Sequence, residues 1–127
     1  MAYPNQPVPE LHLVGIADAG VPNQERVVLR PTQRLRLHGY GLTVGVPAAG
    51  PGALPLFDNV FWFPDVEVAL PSWILVFTGK GRPMTSVTPS GEQILALHWN
   101  RPLTVFDSRR VVPVLFRVDG SAVGPVL

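Results

Sequence analysis

Cysteine is absent from the 127 residues, so disulfides and thiolate-bound metals are excluded. A chain without thiols works under any redox condition, and no compartment follows. Charge is scarce too. Asp, Glu, Lys and Arg make up 15% of the chain, where a typical domain has about a quarter. Lys80 is the one lysine among ten basic residues, and the net charge is +1. Nucleic-acid binders usually carry a basic stripe. Here the arginines are scattered apart from Arg34/Arg36 and Arg109/Arg110. A nucleic-acid role would need those four on one face, and it is not expected.

Long apolar runs are missing as well. The longest, Val66 to Phe77, is broken by Glu67 and Pro71, too short and interrupted for a membrane-spanning helix. Residues Met1 to Pro7 hold no basic segment followed by an apolar one. No signal peptide is expected, and a cytoplasmic location is favoured. No window of 11 residues keeps a helical period free of proline or glycine.

What the chain has instead is 15 prolines and 12 glycines alongside 46% hydrophobic residues. Disordered Pro/Gly-rich chains lack the apolar residues for a core. Many turns between short apolar runs point to one all-β domain, an antiparallel sandwich or closed barrel. An extended arm is predicted over residues 1–9 and an apolar tail over 120–127. Strands are predicted at Leu11–Ile16, Glu25–Arg30 and Arg34–Gly39, continuing through Tyr40–Val46. Further strands are expected at Val60–Phe63, Val66–Leu70, Trp73–Thr78, Gln93–Trp99, Leu103–Phe106 and Val111–Val118. Some of these should merge, giving about eight. Arg34 to His38 alternates charged and leucine residues, the mark of a half-buried strand. Pro113 confines its strand to an edge or bulge. Residues 47–55 form a loop, and Asp107–Arg110 and Asp119–Ser121 are turns.

Catalytic spacing is not found. His12, His38 and His98 lie on predicted strands without the His-x-His and carboxylate of a metal-binding barrel, and no metal or cofactor is expected. No serine stands in a Gly-x-Ser-x-Gly turn. Thr78-Gly79-Lys80-Gly81 lacks the spacing of a phosphate loop and reads as a hairpin turn. Asp65 and Glu67 share a strand face beside Trp62. With Asp58, and with Trp62 or Trp99 to stack a sugar, they make a candidate carbohydrate or small-ligand site, one with hydrolytic potential. A solvated strand edge explains them more simply.

The aromatic cluster Phe57, Phe61, Trp62 and Phe63 carries more. Alternation sends Phe61 and Phe63 to one face and Trp62 with Val60 to the other. Several strands, among them Trp73–Phe77 and Ile94–His98, offer two apolar faces where a sandwich needs one. The leading expectation is therefore a non-enzymatic module acting through protein contact, as a subunit of a homo- or hetero-assembly. Trp62, Phe63, Trp73, His98 and Trp99 are its candidate contact residues.

Overall fold

The computed structural model describes residues 8–47, 53–108 and 110–127, with the side chains of 54–59 set aside. Ten strands and no helix lie within them: β1 Leu11–Ala17, β2 Arg26–Pro31, β3 Leu35–Arg36, β4 Tyr40–Pro47, β5 Ala53–Trp62, β6 Glu67–Val68, β7 Ser72–Phe77, β8 Met84–Val87, β9 Gln93–His98 and β10 Val112–Arg117. They form a five-stranded sheet in the order β1-β2-β7-β9-β8, a three-stranded sheet β10-β4-β5, and a two-stranded ribbon β3-β6.

Period-two alternation decides which side of each strand is buried. In β2 the fully buried side chains are Val27 and Leu29; in β7 they are Ile74 and Val76. Leu97 of β9 and Leu11 of β1 join them, and Leu42 and Val44 come from the three-stranded sheet. Tyr40, Phe63, Val68, Trp99 and Phe106 complete the same cluster. Full burial of such side chains contributes about 1.5–3 kcal/mol each.

Two carboxylates tie the elements together. Glu10 accepts a hydrogen bond from the Tyr40 hydroxyl at 2.6 Å and pairs with Arg117, joining the start of β1 to β4 and β10. Glu25 is 1% exposed and accepts four hydrogen bonds. Thr78 Oγ1 donates at 2.7 Å, and the backbone N–H groups of Gly20, Val105 and Phe106 donate at 2.8, 2.6 and 2.9 Å. Residues 99–108 contain no strand, and this carboxylate fastens them to the five-stranded sheet.

Several expectations change. The fold is all-β but no closed barrel: β1 and β8 end one sheet, β10 and β5 the other. The five-stranded sheet is mixed, because β7 and β9 run parallel, while all other strand pairs, including those of the smaller sheets, are antiparallel. The alternating stretch Arg34–Gly39 yields only two strand residues, since Leu37 turns into the core and donates its N–H to Val66 O. Val66–Leu70 likewise shortens to Glu67–Val68. Leu103–Phe106 is held as a loop on Glu25, and the exposed strand β8 arises where no apolar run announced one. The expected arm over residues 1–9 falls mainly outside the described residues, as do 48–52 of the expected 47–55 loop, whose described ends belong to β4 and β5 instead. Residues 120–127 are exposed and form no strand.

Candidate functional site

Glycine at position 41 shapes the outer surface of the three-stranded sheet. Cross-strand pairing sets Phe116 of β10 and Trp62 of β5 on either side of it. A Cβ on Gly41 would lie 2.3 Å from Phe116 Cζ, so the missing side chain makes room for that ring. Trp62 meets Phe116 edge to face, with centroids 5.3 Å apart and planes at 85°, a favoured aromatic geometry. The next row is Val60, Thr43 and Val114; then come Gly45 and Val112. Every one of these residues is uncharged. Trp62 is 57% exposed and Val60 37%, while the β10 residues are half-buried. The β4 residues of this face are buried, Thr43 at 5% exposure, so the exposed apolar surface is that of Trp62 and Val60 beside the half-buried β10 residues.

The other candidate contact residues divide. Phe63 and Trp99 are core side chains, 5% and 8% exposed. Phe61 packs against both, with centroid distances of 5.3 and 5.9 Å, and Phe106 covers Trp99 at 6.3 Å. Trp73 and His98 instead lie half-buried on the outward side of the five-stranded sheet. Arg30 sits over the Trp73 ring, its guanidinium carbon 4.0 Å from the centroid, a cation–π contact, and pairs with Glu92 at 2.6 Å. His98 stacks on Phe77 at 5.3 Å and 18° beneath the backbone of Gly81, where an added Cβ would meet the imidazole at 2.4 Å. Its Nδ1 is buried without a hydrogen-bond partner.

The acids proposed for a sugar site are not gathered around a tryptophan. Trp62 points outward from β5 and Trp99 lies in the core, on the inward side with Phe61. Asp65 pairs with Arg36 at 2.8 Å, and Glu67 pairs with Arg34. The Arg36 guanidinium, through its hydrogen bond first, holds the Asp65 carboxyl below its ordinary range. Asp58 belongs to the residues whose side chains are not described. The same ion pairs bear on nucleic-acid binding: Arg34 and Arg36 are engaged by carboxylates, Arg110 is exposed, and Arg109 lies outside the described residues.

A cavity of about 370 Å³ opens between β6 and the β8 end of the five-stranded sheet. Glu67, Ser72, Thr85, Gln93 and Leu95 are among its lining residues, and the buried Ser72 Oγ has no hydrogen-bond partner. His12 and His38 are exposed, and among the described residues no three His, Asp or Glu side chains converge as a metal site would require.

The sequence misses Phe116, Val112 and Val114 as companions of Trp62, because strand partners 50 residues apart leave no local signal. The glycine at 41, between Tyr40 and Leu42 in a strand, is the one available clue. Neither a family model, nor a characterised protein, nor a solved structure matches this chain, so its functional reading rests on the surfaces described above.

Proposed function

We propose that this protein is a non-enzymatic β-sandwich module, its two larger sheets packed over the shared core, that works by contact with another protein subunit. The observation carrying this is the outer surface of β10-β4-β5, uncharged among its described side chains. In a chain with 15% charged residues, the described side chains on this sheet face carry no charge, and Trp62 stands on it 57% exposed. Contiguous apolar surface of this kind marks interaction sites, and tryptophan is enriched among the residues that dominate binding. Phe116 presses the indole into a fixed orientation, which lowers the entropy lost on docking.

Trp62→Ala tests the reading. Association should weaken by about 30-fold, the roughly 2 kcal/mol of a hot-spot residue. The thermal midpoint of the separated chain should stay nearly constant, because Trp62 stands outside the core. Light scattering and sedimentation report the mass; an unchanged mass across a concentration series argues against the assembly role.

Small-ligand binding has one observation in its favour, the cavity holding Glu67 and the unpartnered Ser72 hydroxyl. That reading moves the site away from Trp62 and Trp99 and keeps only Glu67 of the original acid pair.

A further inference from the structure

Strand β8 ends the five-stranded sheet, and the backbone bonding of the hairpin it opens fixes which of its groups face outward. Thr88 N–H donates to Glu92 O at 2.8 Å, and Gly91 N–H donates to Thr88 O at 2.9 Å. Gly91 has φ of 89°, which glycine adopts readily. Thr88 and Glu92 are thus the hydrogen-bonded pair closing the hairpin. Alternation in an antiparallel ladder makes Ser86 with Ile94 and Met84 with Ala96 the next bonded pairs, on the register that joins them. The N–H and C=O groups of Thr85 and Val87 therefore point away from β9. No strand of the described residues pairs with that side.

The remaining ends of the two larger sheets carry the devices that blunt strand addition. A bulge interrupts β1 between Leu13 and Gly15. Val118 N–H donates to Gly39 O, so odd-numbered β10 residues face outward, and Pro113 occupies one of those positions. Phe63 N–H donates to Tyr40 O; the β4–β5 register, after its own irregularity, places Pro55 outward as well. Strand β8 has no proline, bulge, lysine or other charge. All four of its residues are exposed, Met84 at 67% and Val87 at 64%.

We propose that β8 pairs antiparallel with β8 of a second copy of this chain, extending the sheet across a twofold axis through Ser86. In that register Thr85 of each copy faces Val87 of the other, and the two outward residues exchange both backbone hydrogen bonds. Ser86 meets its own copy in the intervening non-bonded position. Thr85 and Val87 share one sheet face, so the pairing preserves the pleat. No like charges meet, because Arg82, the nearest charge in sequence, falls opposite Ser90. Self-complementary hydrogen bonding without charge repulsion favours a second copy over a dissimilar strand. This surface is separate from the one bearing Trp62, and either can fail without the other.

The absence of cysteine makes the test clean. Non-bonded antiparallel pairs have Cα atoms about 4.5 Å apart, within the range of about 4.4–6.8 Å that a disulfide spans. Under mild oxidation, Ser86→Cys should give a covalent dimer. Thr85→Cys should give at least tenfold less, because its two copies lie out of register by two residues, about 7 Å along the strand. Val87→Pro removes an N–H that β9 does not use, so combined with Trp62→Ala the chain should stay folded while light scattering shows the mass of one chain. The Ser86→Cys cross-link should persist with Trp62→Ala added. A parent protein of single-chain mass at the highest attainable concentration would overturn the proposal. So would equal or absent cross-linking in the two cysteine variants, or a dimer that survives Val87→Pro combined with Trp62→Ala.

Discussion

Glu25 shows how one side chain can hold a segment that has no strand of its own. Burial by itself would raise its pKa, but the N–H groups of Val105, Gly20 and Phe106 and the Thr78 hydroxyl outweigh that and hold the carboxyl below its ordinary range. Glu25→Gln keeps the shape but turns one acceptor oxygen into an NH2 facing N–H donors. The variant should lose about 2–3 kcal/mol, the scale for hydrogen bonds to a charged group, and melt roughly 5–10 °C lower. Calorimetry checks this. A loss below 0.5 kcal/mol, the usual bound for an inconsequential surface change, would show that the loop is held by Trp99 and Phe106 instead. Glu25 was read from sequence only as the first residue of a strand. Four donors converge on it from positions 20, 78, 105 and 106, and no local pattern encodes that meeting.

At the scale of the strands, the close approach of Phe116 to Gly41 makes a sharper test than any core truncation. Adding a methyl group at 41 requires the ring to move, and overpacking of this kind costs about 1–3 kcal/mol. Gly41→Ala should therefore destabilise the fold and also disturb Trp62, whose fluorescence reports the change. A double variant with Phe116→Ala should recover part of the loss, because the space the methyl needs is then open; no recovery would place the strain elsewhere.

Apolar runs located strands better than alternation did: β7 and β9 formed near their expected bounds, whereas alternating Arg34–Gly39 kept two strand residues. Ile74 and Val76, on a strand apolar on both faces and counted with the surplus a single core would leave over, are instead fully buried. Trp62 opposite Phe61 and Phe63 did follow from period two, a local property of the chain. What escaped depends on distant partners. The parallel neighbour of β7 is β9, although β8 comes between them in sequence, and no residue of either strand states that order. Phe63 and Trp99 were grouped with contact residues because an aromatic at a strand end looks alike whether it faces a core or a partner.

For the molecule as a whole, the acid side of its stability follows from three carboxylates. Glu10, through the Tyr40 hydroxyl first and Arg117, joins Glu25 and Asp65 in having a lowered pKa. A group whose pKa is lower folded than unfolded binds fewer protons in the folded state. Its contribution is complete above the unfolded value, about 4.3 for Glu and 3.9 for Asp, and disappears as pH falls through the folded value. Denaturant midpoints should be level with respect to these groups from pH 7 to 5 and decline below about pH 4.3. Circular dichroism during urea titration at several pH values measures this. In Glu25→Gln the decline should be shallower, since a major contributor is gone.

The bulge at Gly15 also limits how far copies of the chain can add to one another. A sheet open at both ends can recruit copies head to tail without limit and grow into a fibre. Here Glu10, Tyr40 and Arg117 fasten the β1 flank to the neighbouring sheet, and the irregular backbone at 13–15 offers an incoming strand no regular ladder. Growth that began at the opposite flank would consume both available ends at once and stop at two chains.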